Sequence, residues 1–97
     1  NSWQLPGGGM KKTENVVSTA VREIQEEFNF KMDAGAIQQL TQNPLLTSVG
    51  GIFYRYQYVL CRLDSSPTLT VSHGITDIKW GSPSSVKMPD SIRSRAL

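Results

Sequence analysis

The sequence predicts an α/β fold, and three patterns carry that prediction. Residues 14–28 repeat apolar side chains at the spacing of an amphipathic helix. Residues 49–63 alternate in the manner of a strand that buries one of its faces. Shorter stretches at residues 36–42, 68–72 and 75–80 have the composition of further strands between turns.

A glycine-rich loop leads into the helix. Residues 6–9 read PGGG, which excludes a helix or strand interior and lets other atoms come close to the backbone. Thr13 is the predicted N-cap, because its hydroxyl can accept from free N–H groups of the first turn. Glu14 would then lie at the positive end of the helix dipole. The helix is predicted over residues 14–28, with Asn29 as a left-handed C-terminal residue.

Carboxylates gather beside the apolar face of this helix. At about 100° per residue, one face collects the apolar side chains Val17, Ala20, Val21, Ile24 and Phe28. Glu23 and Glu27 lie at its margin, and Glu26 lies on the far side of Glu23. Like charges at this spacing repel, and a hard divalent cation, Mg²⁺ or Mn²⁺, between them would explain the grouping. The glutamates alone are more typical of a solvated acidic helix, but such a helix would not require the glycine loop upstream, and the loop favours the cation.

The stretch from Gly8 to Phe30 resembles the Nudix box, G-x5-E-x7-R-E-U-x-E-E-x-G-U, where U is a bulky apolar residue. The residues that match the box are Gly8, Glu14, Arg22, Glu23, Ile24, Glu26, Glu27 and Phe30. The residues that resemble its usual lead-in are Trp3, Leu5, Pro6 and Gly7. Asn29 stands where the box has glycine. Since asparagine tolerates the left-handed conformation, we expect the turn to form.

The resemblance implies a Nudix-type α/β/α sandwich around a mixed sheet. It also implies strands before the box, and this chain reaches the glycine loop within six residues of Asn1. We therefore expect residues 1–97 to be a single, N-terminally truncated Nudix domain. Missing strands would leave a sheet edge or face uncovered, and a homodimer in which a second copy covers it is the corresponding hypothesis.

The resemblance also implies an activity and a set of site residues. The activity is divalent-metal-dependent hydrolysis of the pyrophosphate in a nucleoside diphosphate linked to another group. Glu23 and Glu27 would ligate Mg²⁺ or Mn²⁺, with Glu26 as a further ligand, direct or through water. The carbonyl of Gly7 would face the metal. The catalytic set comprises Glu23, Glu26, Arg22 and Glu14, in which Arg22 orients Glu23 and pairs with Glu14.

Substrate contacts are predicted around the same loop. Gly8 and Gly9 would let the chain approach the diphosphate, and Trp3 could stack on a base or pack against the helix. Many family members carry a glutamate where this chain has Gly74, so the third carboxylate is in doubt. His73 could replace it as general base, because its pKa suits the task. A lone loop histidine is more often only solvated.

The remaining chain gives weaker signals. The single strand predicted at residues 49–63 places one row of side chains on one face, namely Ile52, Tyr54, Tyr56, Tyr58 and Leu60. Core packing of the tyrosines is favoured over base stacking. Residues 42–48 are predicted as loop. A last helix over residues 91–97, capped by Asp90, would carry Arg93 and Arg95 toward solvent or phosphate.

Composition sets the outer limits. The chain has 97 residues and a net charge of +2, which gives no clear nucleic-acid signal. Cys61 is the only cysteine, so no internal disulfide can form and a reducing, cytoplasmic setting is predicted. No apolar run is long enough for a membrane span. The substrate expected is a nucleotide-type small molecule. The alternatives are a catalytically impaired Nudix-like nucleotide-binding or regulatory module, or a stable fragment of a larger enzyme.

Overall fold

The computed structural model describes residues 3–72 and 74–96. The helices and strands follow in the order α1 (Val16–Phe28), β1 (Ile37–Gln39), β2 (Leu45–Val49), β3 (Ile52–Tyr56), β4 (Val59–Cys61) and α2 (Asp90–Ala96). Short 3₁₀ turns occur at Ala34–Ala36 and Pro83–Ser85. The predicted α/β class is confirmed, and the fold is consistent with a Nudix-type arrangement. Neither helix in the described ranges has the length and apolar character that crossing a membrane demands.

Helix α1 begins later than the sequence pattern predicted. Its N-cap is Asn15, so the prediction of Thr13 was wrong. The side chain of Asn15 accepts from the Ser18 N–H at 2.8 Å, and the Ser18 hydroxyl accepts from the Asn15 N–H at 3.0 Å. This reciprocal capping box satisfies two backbone donors where Thr13 could satisfy one. Glu14 therefore lies just before the helix.

The end of α1 is where the sequence placed it. Asn29 adopts φ 52° and ψ 41°, which is the left-handed conformation expected of the residue that replaces the box glycine. Its backbone N–H donates to the Gln25 carbonyl at 3.0 Å. The Gln25 side-chain amide also donates to Asn29 Oδ1 at 3.1 Å. The turn therefore forms without glycine.

The strands pair in two separate antiparallel sheets of two strands each. In one, β1 pairs with β4, with Ile37 opposite Cys61. In the other, β2 pairs with β3, with Leu45 opposite Tyr56 and Val49 opposite Ile52. Helix α1 packs against β1 and β4. The sheet that supports the helix is therefore β1–β4, and β2–β3 is a hairpin beside it.

The prediction of one strand over residues 49–63 was wrong. Gly50 and Gly51 have φ values of 60° and 82°, which join β2 to β3 by a two-residue turn. The loop predicted at residues 42–48 was also wrong, because Leu45–Val49 forms the first strand of this hairpin. Glycine at both turn positions permits the left-handed backbone that such a turn needs.

A second break separates β3 from β4. The Thr41 hydroxyl donates to Gln57 Oε1 at 2.6 Å and accepts from the Tyr58 N–H at 3.0 Å. The Leu40 N–H donates to the Tyr58 carbonyl at 2.8 Å. These bonds direct the chain from the hairpin into the β1–β4 sheet. Alternation in sequence continues through this point, which is why the pattern gave one long strand.

The tyrosine row exists but is not a core. Tyr54 stacks on Tyr56 with ring centroids 6.0 Å apart, and Tyr56 meets Tyr58 edge to face at 6.2 Å. Tyr54 and Tyr56 remain 43% and 37% exposed, so the core-packing interpretation was wrong for these two. The buried apolar side chains of the described residues are Phe28, Met32, Leu40 and Ile92.

The C-terminal part of the chain was predicted only in part. The last helix is confirmed as α2, which begins at Asp90. The Arg95 guanidinium donates to the Leu40 carbonyl, which ties α2 to the end of β1. Arg93 donates to the carbonyls of Pro83, Val86 and Met88 rather than facing solvent or phosphate.

Two of the predicted strands do not form. At residues 68–72, backbone N–H groups of Thr70 and Ser72 donate to carbonyls of α1 and not to a neighbouring strand. At residues 75–80, Asp77 Oδ1 accepts from the Ile78 N–H at 2.8 Å, a local bond that competes with a strand ladder. Trp80 is 60% exposed, so the end of this segment gains no burial that would hold it in a sheet.

Candidate active site

Arg22 is the centre of the site. Its Nε donates to Glu14 Oε2 at 2.6 Å, and its Nη2 donates to Glu14 Oε1 at 2.9 Å. Its Nη1 donates to Glu23 Oε1 at 2.7 Å and to Glu26 Oε1 at 2.8 Å. The last bond runs from Nη2 to the carbonyl of Gly9 at 2.7 Å. These bonds match the five N–H groups of a guanidinium, so one side chain joins three carboxylates to the glycine loop.

Glu14 is the most strongly held of these carboxylates. Besides the forked pair with Arg22, it accepts from the Lys11 N–H at 2.9 Å and from the Thr19 hydroxyl at 3.3 Å. The hydrogen bond from Arg22, followed by that from Lys11, lowers the pKa of Glu14 to about 2. The same pairing raises the pKa of Arg22 above its ordinary value. Glu14 is therefore ionised throughout the neutral range.

The predicted pairing of Arg22 with Glu14, and its contact with Glu23, are both present. The resemblance implied that Arg22 orients Glu23; the contact is observed, and the orienting role stays a prediction. Arg22 also bonds Glu26, which the sequence interpretation did not anticipate. Residues four apart on a helix are neighbours, so the spacing of Arg22 and Glu26 carried that signal.

Gly8 lies directly against the Glu23 carboxylate. A Cβ placed on Gly8 would lie 2.2 Å from the Glu23 carboxyl carbon, far inside van der Waals contact. The corresponding positions at Gly7 and Gly9 have open space around them. Of the three loop glycines, Gly8 is thus the one whose missing side chain makes room for a site carboxylate.

Glu27 is the buried carboxylate of the site, with 8% of its surface exposed. Its Oε1 accepts from the Gly7 N–H at 3.2 Å, which ties the end of α1 to the start of the loop. A buried carboxylate needs such partners, because removing it from water without them is costly. Gly7 is thereby placed beside a predicted metal ligand.

Residues 70–72 lie against the C-terminal end of α1. The Ser72 N–H donates to the Glu27 carbonyl at 3.0 Å, and the Thr70 N–H donates to the Phe28 carbonyl at 3.1 Å. The Ser72 hydroxyl also reaches the carbonyls of Glu26 and Glu27. The sequence interpretation missed Ser72 as a site residue, because a serine within a predicted strand gives no signal that it caps a helix far away in the sequence.

Trp3 meets a lysine that the sequence interpretation did not name. Lys79 Nζ lies 4.6 Å from the centre of the Trp3 ring, which is cation–π distance. Trp3 is 45% exposed. The predicted packing of Trp3 against the helix or a base stays a prediction. His73, predicted as a substrate contact or base, lies outside the described residues, and its neighbour Gly74 has φ 82°.

The donor chemistry of the site suits a divalent cation. Within the described part of the chain, the hydrogen bonds to Glu23 and Glu26 each use one carboxylate oxygen. Three carboxylates share one guanidinium, so the cluster keeps an excess of negative charge. Carboxylate oxygens are the ligands that Mg²⁺ and Mn²⁺ prefer.

The cluster itself is an ion-pair network. No group of three or more Asp, Glu, His or Cys side chains in the described ranges is arranged around a point that a metal could occupy. Arg22 instead draws Glu14, Glu23 and Glu26 toward itself.

Comparison with known proteins gives two matches. A family model described as the NUDIX domain matches residues 1–96. The human protein Nucleoside diphosphate-linked moiety X motif 6 is 33% identical over 63 residues, which cover 65% of this chain and 19% of the human protein. The chain thus spans about a fifth of the length of that relative. No solved structure matches the chain significantly.

Proposed function

This chain belongs to the NUDIX family, and from that membership we propose that it is a divalent-metal-dependent hydrolase. Its substrate class would be a nucleoside diphosphate linked to another group, and the bond cleaved would lie in the pyrophosphate. Members of the family are pyrophosphohydrolases that act on nucleotide-type substrates and generally use divalent metals. The human relative is named for nucleoside diphosphate-linked moieties, and that name belongs to a protein of which this chain matches only a part.

The observation that carries the proposal is the Arg22 network. Arg22 holds the carboxylates of Glu14, Glu23 and Glu26 and the carbonyl of Gly9 in one cluster. If the glutamates of this helix were only solvated, the bond from the Arg22 guanidinium to the glycine loop would be unexplained. Arg22 Nη1 donates to both Glu23 and Glu26 and so brings these carboxylates together despite their repulsion, which a bound cation would offset further.

We assign the metal to carboxylates at the C-terminal half of α1. Glu23, Glu26 and Glu27 would hold Mg²⁺ or Mn²⁺, together with the carbonyl of Gly7. When bound, the ion would neutralise charge on the diphosphate and make a bound water more acidic. The glycine loop would lie along the phosphates, where the missing side chains of Gly8 and Gly9 permit close approach.

The chain's own residues have separate tasks in this proposal. Arg22 and Glu14 fix the geometry of the cluster, since their forked ion pair is the anchor of the network. Glu23 and Glu26 act at the reacting centre. Trp3 and His73 would contact the substrate, with His73 as the candidate base.

A second candidate function is a nucleotide-binding or regulatory module that does not hydrolyse. Two observations favour it. Gly74, with φ 82°, stands where the family pattern led us to expect a further carboxylate. The described residues also lack a preformed cluster of three metal-ligating side chains. A single domain over residues 1–97, a cytoplasmic setting and a homodimer stay predictions from the sequence.

A hydrolysis screen distinguishes the two functions. The chain would be incubated with Mg²⁺ and a nucleoside triphosphate, ADP-ribose, a nucleotide sugar or a dinucleoside polyphosphate, and the products identified by mass spectrometry. We expect cleavage of a phosphoanhydride bond in at least one compound, and we expect EDTA to stop it. Binding without cleavage would favour the module.

Glu27→Gln is the variant that tests the metal assignment. The substituted amide keeps an oxygen that can accept from the Gly7 N–H but loses the negative charge. We expect turnover to fall by about a hundredfold or more, since even residues that support a ligand typically contribute about 10–100-fold. The matched control is Asp33→Asn, which changes an acidic side chain at the 3₁₀ turn, whose bond from the Gly35 N–H an asparagine can keep. Full activity in Glu27→Gln would contradict the assignment.

A further inference from the structure

The last turn of α1 is completed by a segment far along the chain. The final four carbonyls of a helix have no partner within the helix beyond its cap. Here the Gln25 carbonyl accepts from the Asn29 N–H, and the Phe28 carbonyl accepts from the Thr70 N–H. The carbonyls of Glu26 and Glu27 lie within hydrogen-bond distance of Ser72, through its hydroxyl and its N–H.

The helix end has little else to stabilise it. Its last turn contains no basic residue, although a positive charge there would be favourable. It carries Glu26 and Glu27 instead, and negative charge at the negative end of the helix dipole is unfavourable. Helix ends fray readily. The hydrogen-bond donors of residues 70–72 therefore stabilise a helix end that has no basic side chain of its own to do so.

From this arrangement we infer that Ser72 is a positioning residue for the carboxylates of Glu26 and Glu27. This inference rests on the function proposed above. Ser72 does not reach those carboxylates; it fixes the backbone from which both side chains project. Glu26 must reach Arg22 and Glu27 must reach the Gly7 N–H, so a shift of this turn moves two proposed metal ligands together. The side chain of Ser72 thereby links a loop to the metal-binding end of α1.

The inference assigns a specific task to the hydroxyl. A Ser72→Ala variant keeps the N–H that donates to the Glu27 carbonyl but leaves the Glu26 carbonyl without its side-chain donor. Ser72→Thr keeps a hydroxyl on the same carbon and should restore the bond. Ser94→Ala is the matched control, because the Ser94 hydroxyl also donates to a helix carbonyl, that of Ser91, but in α2.

Three measurements on the full chain test the inference. Mn²⁺ binding, followed by water-proton relaxation, reports the carboxylates without requiring turnover. Amide hydrogen exchange reports the helix end at residues 27–29 against the first turn at residues 16–20. Steady-state kinetics separate kcat from KM.

For Ser72→Ala we expect Mn²⁺ binding about tenfold weaker, in line with the loss of other supporting contacts at metal sites. We expect faster exchange at residues 27–29 only, and a fall in kcat with KM little changed. Ser72→Thr should return all three values toward wild type, and Ser94→Ala should change none.

Wild-type Mn²⁺ binding by Ser72→Ala would overturn the inference. A Ser72→Thr variant as impaired as Ser72→Ala would also overturn it, since the hydroxyl would then not be the active feature. If the wild-type chain cleaves no substrate, the proposed hydrolase fails, while Mn²⁺ binding and exchange still decide the role of Ser72. If the wild-type chain binds no Mn²⁺, both the proposed metal-dependent hydrolase and the inferred role of Ser72 are overturned.

Discussion

Two parts of the molecule are stabilised by different kinds of interaction. The loop–helix unit, residues 7–29, is bound by charged side chains that donate to and accept from the backbone. The β2–β3 hairpin, residues 45–56, is stabilised by the antiparallel backbone pairing of its two strands. In the loop–helix unit Glu27 is buried, whereas in the hairpin Leu46 and Phe53 are 67% and 70% exposed.

The difference indicates which interactions determine the structure of the site. In many domains polar side chains face water and apolar side chains make the core. Here an ion-pair network orders the site, and the apolar hairpin contributes little burial. Activity should therefore respond to polar changes in residues 7–29 and be insensitive to changes in the hairpin.

Among the changes that test this difference between the two parts, Arg22→Lys has the largest expected effect. A lysine has three donors on one atom and cannot reproduce the planar fork that joins Glu14, Glu23 and Glu26. We expect kcat/KM to fall by about a hundredfold, and thermal unfolding to shift to lower temperature. Arg62→Lys, at an exposed position on the chain after β4, is the control and should change neither. An active Arg22→Lys enzyme would show that the network is incidental.

Gly8→Ala should reduce activity with little loss of stability. The new Cβ would overlap the Glu23 carboxylate, and a flexible side-chain end can move away without disturbing the backbone. We expect kcat to fall about tenfold while the unfolding temperature stays close to wild type. Gly35→Ala, where the nearest atom is at 3.5 Å, is the control. Wild-type activity in Gly8→Ala, or a loss of stability much larger than in Gly35→Ala, would contradict this account.

The ion pair of Glu14 predicts a pH dependence of stability. Its pKa is lowered in the folded chain from 4.5 to about 2, so the unfolded chain takes up a proton first as the pH falls. Its stabilising contribution is present above pH 4.5 and is lost as the pH falls through the folded value of about 2.

Glu14→Gln should therefore be less stable than wild type by a constant margin above about pH 5, and the margin should shrink between about pH 4.5 and pH 2. Urea unfolding across that range measures it. Asp64→Asn, an exposed acid in the turn after β4, should show no such margin. A margin that grows on acidification would have the wrong sign and would refute the ion-pair account.

The smallest expected effect is in the hairpin. Phe53→Ser removes a side chain that is 70% exposed, so the free energy of unfolding should change by less than about 0.5 kcal/mol. Hydrolysis should be unchanged. Analytical ultracentrifugation of the same variant and of wild type would also test the predicted homodimer, and a monomer at every concentration would contradict it.

The local structure of the loop–helix unit was predicted from sequence better than the sheet was. The helix and the left-handed Asn29 follow from local spacing and residue type, which the sequence displays directly. The Arg22–Glu14 pairing was implied by the resemblance to the Nudix box. Thr13 was the wrong cap because Asn15 and Ser18 compete for the same backbone donors. That competition was visible as a polar pair three residues apart.

The sheet errors have a different cause. The pair Gly50–Gly51 is a hairpin signal between two apolar runs, and alternation through the tyrosines obscured it. The break at Gln57 could not be predicted, because it depends on Thr41, a residue 16 positions earlier. Side-chain alternation reports which face a residue takes, but not where the chain leaves one strand for the next.

The tie between Ser72 and the end of α1 also has a consequence for biosynthesis. Translation proceeds from the N-terminus, so the glycine loop, Arg22 and its carboxylates can associate while later residues are still on the ribosome. The carbonyls of Glu26 and Glu27 receive their distant donors only after residue 72 has emerged. A nascent chain that ends at the hairpin would contain Glu26 and Glu27 but lack the hydrogen bonds from Ser72. The proposed metal binding should therefore be acquired late in synthesis.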